Sequence, residues 1–384
     1  MAFVTNFLSG RNELLTGERT VSRRQFGCGN VASKPLRVFM VAPTKKTSNE
    51  KGSGAEEGME ESSITQRALS FGSRHLRIFG GTACPKLASD VARYLGFDGP
   101  HGMIVKRFAD DEVYVRITES IRGCDVFLIQ STCSPVNDSL MELLLMIDAC
   151  RRAHAAQITA VVPYYGYARA DRLVEKREAL GSKLCANLIT RAGADRVIVM
   201  DIHSPQSCGF FDIPLDHIHG SAVLAGYLKE NQMPMDDLVI VSPDIGGVKR
   251  ARYFAKELND SSLAIIDKRR PASNVSEVMN LIGDVQGKTA VVVDDMIDTA
   301  GTICQCCDVL LENGAKRVFA MATHPLLSGP ARDRLANSGF EQVIVTDTIP
   351  IPADRTFPQL RILSIAQTVG ETIWRNHSDF AVSY

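Results

Sequence analysis

The chain has 384 residues, 45% hydrophobic and 23% charged, which is enough apolar material for about two folded domains and too much for a largely disordered chain. A net charge of -1 gives no field for nucleic acid or an anionic membrane surface. No apolar run approaches the roughly eighteen residues of a membrane-spanning helix. The ten cysteines lack the spacing of a disulfide framework and read as reduced thiols. Cys304, Cys306 and Cys307 cluster, but their spacing matches no usual zinc pattern.

Residues 1–73 differ in character from the rest. Up to Asn49 the acids are Glu13 and Glu18, set against Arg11, Arg19, Arg23, Arg24, Lys34, Arg37, Lys45 and Lys46 among serines and threonines. That is the composition of an organelle transit peptide. A plastid is favoured over a mitochondrion because no Arg-rich amphipathic helix stands out, and a cytosolic regulatory tail is the alternative. Residues 44–63 are polar and aperiodic, which predicts a disordered linker.

From Leu76 short apolar runs alternate with amphipathic segments. LRIFGG is read as a strand, Pro85 to Leu95 as a helix and DVFLIQ as a strand. Asn137 to Ala153 (helix), ITAVVP (strand), Ser182 to Ala192 (helix) and RVIVMDIH (strand) continue the series. A second series runs through LVIVSPDIGG, Gly247 to Leu258, LAIIDKRR, KTAVVVDDMIDTAGT, Thr302 to Glu312, RVFAMATH and QVIVTDTI. The pattern predicts an α/β protein of two doubly wound, mainly parallel-sheet domains, 74–220 and 221–384, with the last residues packing back on the first. Ligands in such sheets bind beyond the carboxyl ends of strands.

The most informative strand end is AVVVDDMIDTAGT. Asp294 and Asp295 leave a buried strand where a sugar could present vicinal hydroxyls. The backbone N–H groups of Asp298, Thr299, Ala300, Gly301 and Thr302 can cradle a phosphate at a helix start, with Gly301 permitting close approach. This combination suits ribose 5-phosphate, whereas a plain connection with a capping threonine would not need the paired acids.

Other strand ends carry further candidates. Phe108 can stack on a base, while Asp110 and Glu112 can accept hydrogen bonds from an adenine amino group or ribose hydroxyls; alternation would place all three on one side of an extended hairpin. Arg169 ends an aromatic-rich loop where a guanidinium can meet a polyphosphate, or can pair with an acid such as Asp171. Asp201, His203, Asp212 and Asp216 offer ligands to a magnesium–nucleotide complex. Asp244, Gly246 and Gly247 form a second phosphate-type turn. Lys268, Arg269 and Arg270 precede a segment with few apolar anchors, so a mobile cationic loop is expected, able to close over charge developing on phosphate oxygens.

The Asp294 to Thr302 segment resembles the phosphoribosyl-diphosphate loop shared by type I phosphoribosyltransferases and ribose-phosphate pyrophosphokinases. Resemblance to the second family extends from Leu76 to about Trp374, through FADDE at Phe108, QSTCSPVNDSLMELLLMIDACRRA at Gln130, PYYGYARAD at Pro163, DIHSPQSCGFFDIPLD at Asp201, VSPDIGG at Val241 and DKRRPASN at Asp267. The resemblance implies the sheet type of the phosphoribosyltransferases and Mg2+-dependent transfer of pyrophosphate from ATP to the C1 hydroxyl of ribose 5-phosphate. The products would be phosphoribosyl diphosphate and AMP, serving nucleotide, histidine and tryptophan biosynthesis. It places Arg169, Ala170 and Asp171 at ATP, His203 at the ATP phosphates and metal, and Asp244 with its glycines at pyrophosphate and metal. Lys268 and Arg270 become the catalytic pair. It also implies a homohexamer in which the Phe108 hairpin reaches a neighbouring ATP site, with inorganic phosphate as activator at an effector site matched by Ser120, Arg122, Asp216 and Ser383. Ala170 stands where the family usually has glutamine, Cys208 where an amide or methionine is usual, and Ala381 where a hydroxyl is common; with the chain ending at Tyr384, these departures point to altered control. A non-catalytic regulatory homologue would be expected to have lost Lys268, Arg270, His203 or Asp244.

Overall fold

Runs rich in Val, Ile and Ala that are apolar on both sides form strands only where both sheet faces are covered, and the computed structural model shows that arrangement. It describes residues 75–231, 237–269 and 278–382. The expected leader and linker, Arg270 and Ser383 lie outside these residues.

In chain order the first half contains β1 (Leu76–Gly80), α1 (Pro85–Tyr94), β2 (Met103–Arg107), β3 (Val113–Ile117), β4 (Asp125–Ile129), α2 (Val136–Arg152), β5 (Gln157–Val162), α3 (Gly181–Ala192), β6 (Arg196–Met200) and β7 (Leu215–Ile218). The second contains α4 (Ser221–Glu230), β8 (Leu238–Ser242), α5 (Val248–Glu257), β9 (Ser262–Arg269), β10 (Val278–Ile282), β11 (Thr289–Ile297), α6 (Gly301–Glu312), β12 (Arg317–Pro325), α7 (Ala331–Ala336), β13 (Gln342–Thr346), β14 (Leu360–Leu363) and α8 (Ala366–His377). One sheet has the order β1-β4-β5-β6-β7 and is parallel throughout. The other has the order β10-β9-β8-β11-β12-β13-β14, with β10 its one antiparallel strand.

Strand alternation sends successive side chains to opposite faces, and each face has its own core. In the second sheet Val239, Val241, Ala290 and Val292 pack with Ile303 and Leu310 of α6, while Ile240, Val291 and Val293 pack with Leu224 of α4 and Phe254 of α5. In the first, Val126, Leu128 and Ala160 meet α2 and α3, and Ile78, Phe127 and Ile198 meet α1 and α8. The expected doubly wound α/β class is thus the observed one. Cys306 and Cys307 lie inside the α6 core, where burial pushes the Cys307 thiol up to about 12, consistent with inert packing thiols.

Helix α8 crosses back to the first sheet. Val369 and Ile373 join the α1 core, His377 Nδ1 pairs with buried Asp125 at 2.8 Å, and Asn376 donates to Asp216 at 2.9 Å. The carboxyl ends of the two sheets are also stitched by polar side chains. Ser131 Oγ donates to the Thr348 carbonyl at 2.6 Å, and buried His324 Nε2 donates to the carbonyls of Met200 and Asp201, each at 3.2 Å.

Two expectations change. β2 and β3 pair as a hairpin, but Phe108, Asp110 and Glu112 form its turn rather than its strands, so alternation does not govern them. Asp111 at φ 68° and the Phe108 N–H to Glu112 carbonyl bond of 2.9 Å close that turn. Lys268 and Arg269 were expected on a loop, yet their backbones belong to β9, with Lys268 opposite Met279 of β10. Pairing with β10, whose residues follow the polar PASNVSE segment, extends the strand beyond its apolar run.

Candidate active site

The loops leaving β5, β6, β8 and β11 carry most of the sequence candidates, and the structure ties several of them together. β11 carries Asp294 and Asp295 toward its carboxyl end. Asp294 Oδ1 accepts from Arg250 Nη1 at 3.0 Å and from the Asp295 N–H at 2.8 Å. Asp295 turns inward, its side chain 3% exposed, and accepts from His203 Nδ1 at 2.7 Å, with Arg250 Nη1 at 3.4 Å. His203 comes from the loop after β6, so this bond joins the two sheets. Burial and the adjacent Asp295 charge push the Asp294 carboxyl well above its ordinary range. For Asp295 burial acts in the same direction, but the His203 hydrogen bond and Arg250 outweigh it and hold the carboxylate below that range. The same hydrogen bond raises His203, with Asp171 contributing in the same sense. Of the two carboxyls, Asp294 is the more readily protonated.

The candidate phosphate loop follows. Asp298 pairs with Arg169 at 2.7 Å, and Arg334 Nη1 donates to the Thr299 carbonyl at 3.0 Å. Helix α6 begins at Gly301 without a side-chain cap, which leaves its first N–H groups open to an anion. The left-handed backbone falls on Ala300, φ 61°, not on Gly301. A Cβ on Gly301 would meet only the mobile end of Arg334, at 3.3 Å. A non-glycine residue in this conformation stores strain, which is a feature of ligand loops.

Arg169 stands on the loop after β5. Its neighbours Ala170 and Tyr167 are held by backbone bonds from Ala170 N to the Tyr167 carbonyl, 2.9 Å, and from Ser182 N to the Ala170 carbonyl, 3.1 Å. Gly166 sets the entry of this loop: a Cβ there would lie 2.4 Å from the Thr132 carbonyl oxygen, a backbone atom that cannot move aside. Gly166→Ala is therefore expected to cost about 1–3 kcal/mol, read as a lower urea midpoint. Arg169, Asp298, Tyr164, Tyr167, Ser328 and Arg355 border a cleft of about 810 Å3 beside the loop.

After β8, Asp244 is exposed, and its Oδ1 accepts from the Gly247 N–H at 2.7 Å, closing the turn that leads into α5. Gly247 has ordinary helical backbone angles, but a Cβ would lie 2.8 Å from Ser242 Oγ. Space, not backbone freedom, excludes a side chain there.

The remaining candidates have other partners. Asp201 accepts from His219 Nδ1 at 2.9 Å, Gly220 N at 2.8 Å and Thr323 Oγ1 at 2.6 Å. His217 and His219 bring their donor atoms within 4.8 Å of Asp201, but His217 Nε2 already accepts the Ile202 N–H at 3.2 Å, so its lone pair is committed. Asp212 lies 3.7 Å from Lys183, and Asp216 is bonded to Asn376. Phe108 is 48% exposed at the hairpin tip, edge-on to Tyr114, with Lys106 Nζ over both rings. Ser120 and Arg122 are exposed on the loop between β3 and β4. Arg250 was absent from the sequence candidates. The signal that points to it is its place in the first turn of α5, directly after the Asp244 turn.

Residues 76–193 match the N-terminal domain of ribose phosphate pyrophosphokinase, and residues 262–384 match the phosphoribosyl synthetase-associated domain. The ribose-phosphate pyrophosphokinase of Gloeobacter violaceus is 62% identical over 84% of this chain and 96% of its own length. The chain belongs to the ribose-phosphate pyrophosphokinase family. The chloroplastic ribose-phosphate pyrophosphokinase 1 of Oryza sativa is 58% identical over 80% of this chain and 78% of its own. The crystal structure of the Mycobacterium smegmatis phosphoribosylpyrophosphate synthetase, 45% identical, superposes with a TM-score of 0.75 over 79% of this chain and 99% of that one. The family reaction, pyrophosphoryl transfer to ribose 5-phosphate, is the activity of this chain, and the regulatory and phosphoribosyltransferase alternatives fall away.

Proposed function

We propose that the loops after β6, β8 and β11 form one active site in which ATP and ribose 5-phosphate meet. The observation that carries this reading is the His203–Asp295 bond, because it sets a candidate phosphate-binding imidazole from the first sheet against the sugar-phosphate loop of the second. Asp294 to Thr302 receive the sugar phosphate, its 5-phosphate at the uncapped start of α6. Arg169, with the backbone of Ala170 and Asp171, takes the ATP polyphosphate, and Phe108, Asp110 and Glu112 take the base and ribose of an ATP bound to a neighbouring subunit. Asp244, Gly246 and Gly247 take the pyrophosphate being transferred.

His203 and the exposed Asp244 carboxylate are the residues that would offer ligand atoms to Mg2+, which would neutralise phosphate charge. Asp201, Asp212 and Asp216 are poorer ligands, since each is engaged elsewhere. The C1 hydroxyl attacks the β-phosphorus in line, and AMP leaves. Among the described residues no carboxylate or imidazole is set apart as a general base for that hydroxyl, so positioning and charge stabilisation by Lys268 and Arg270 carry the rate.

The resemblance further supports a homohexamer with an effector site at Ser120, Arg122, Asp216 and Ser383, responsive to inorganic phosphate. The basic, acid-poor leader and the chloroplastic relative support a plastid location. The direct test supplies ATP, Mg2+ and ribose 5-phosphate and follows AMP and phosphoribosyl diphosphate by chromatography. Equal amounts of the two are expected; ADP in place of AMP would overturn the reading. Arg169→Ala is expected to raise the KM for ATP about 10- to 100-fold.

A further inference from the structure

We infer that the two acids of the sugar loop have different tasks: Asp294 faces the sugar, and Asp295 is a positioning residue that acts through His203. The inference rests on the site reading above and refines it.

Asp295 has little left to offer a ligand. Its side chain is 3% exposed, one oxygen is held by His203 Nδ1 at 2.7 Å, and the other lies 3.4 Å from Arg250 Nη1. Asp294, one residue earlier on the alternating strand, is 29% exposed. Its Oδ1 is anchored by Arg250 and by the Asp295 N–H. Arg250 thus braces both carboxylates from one helix. A sugar hydroxyl could reach Asp295 only by displacing the imidazole or the guanidinium, leaving a buried charge short of its partners.

The bond to His203 has a direct chemical consequence. A carboxylate can only accept, so Nδ1 carries the hydrogen, and Nε2 on the opposite edge of the ring becomes the nitrogen presented to the site. Without Asp295 the half-exposed ring could turn or exchange tautomers. The arrangement is the one by which an inner carboxylate fixes an imidazole whose other nitrogen meets a ligand. The bond also spans the sheets, so the register between the ATP side and the sugar side depends on it.

The test compares Asp294→Asn, Asp295→Asn, His203→Ala and the His203→Ala/Asp295→Asn double variant in the full chain. Calorimetry with ribose 5-phosphate alone gives binding, and steady-state rates give kcat. For Asp295→Asn the ribose 5-phosphate Kd is expected to stay within about threefold while kcat falls about 10- to 100-fold. Asp294→Asn is expected to weaken ribose 5-phosphate at least about tenfold. The double variant should be no slower than His203→Ala by more than about twofold, because the second change removes a support whose object is already gone. If Asp295→Asn fails to fold, His203→Ala alone decides, since it should bind ribose 5-phosphate as the unaltered chain does. Loss of sugar binding in Asp295→Asn matching that in Asp294→Asn, or multiplying effects in the double variant, overturns the division of labour. Unchanged sugar binding in Asp294→Asn would instead overturn the loop assignment, and this inference with it.

Discussion

Lys268→Ala is expected to lower kcat by about 100- to 1,000-fold while the Kd for ATP changes by no more than about threefold. The asymmetry follows from when the charge appears. In the proposed site, Arg169, His203 and the loop N–H groups would already be partners of the ATP phosphates in the ground state. As the bond from the β-phosphorus to the leaving AMP lengthens, negative charge builds on the bridging and equatorial oxygens, and a cation arriving from another element stabilises that state more than the bound substrate. Lys268 stands on β9, next in sheet order to β8, whose carboxyl end leads into the Asp244 turn. Single-turnover rates together with equilibrium ATP binding check the prediction. A kcat near that of the unaltered chain, or a loss confined to ATP affinity, would remove Lys268 from the chemical step.

A second large effect is expected in the acid limb of stability. Burial, reinforced by the nearby His219, pushes the His217 imidazole down to about 4 from its ordinary 6.5. The folded chain therefore resists a proton that the unfolded chain accepts. The stabilisation is complete above about pH 6.5 and is lost as the pH falls toward 4, by about 3 kcal/mol at the lower end. His217→Gln keeps an acceptor for the Ile202 N–H but cannot titrate. Unfolding free energies from urea titrations at pH 7 and pH 4.5 should differ by less in this variant than in the unaltered chain, by about 2 kcal/mol. Equal differences would place the acid sensitivity elsewhere. Buried His324, also held neutral by burial, acts in the same direction, so some acid loss should persist.

How much of the site was legible depended on separation along the chain. The proposed phosphate loop could be picked out directly because a buried strand, two acids and a helix start are consecutive along the chain. The partners of its acids could not. Asp298 and Arg169 are 129 residues apart, and Asp295 and His203 are 92 apart. Sequence reading treated Asp294 and Asp295 as equivalent, since neighbouring positions differ only in the face they turn to, and burial of that face is set by the opposite sheet. Arg250 escaped notice for a related reason: a lone arginine on an amphipathic helix looks solvated until the helix is packed beside β11. Strands β7, β10 and β14 are short, and their pairing depends on neighbours rather than on a long apolar run.

By itself the sequence determined the α/β class and the family to which the chain belongs, and it marked the strand ends and the start of α6 proposed to bind ligands, because these follow from periodicity and from contiguous motifs. Only the tertiary structure decided which carboxylate is inward and which outward. It also put Phe108 in a turn, Lys268 in a strand and the left-handed residue at Ala300. Each of these is settled by packing between segments far apart in the chain, where burial and pairing outweigh local preference.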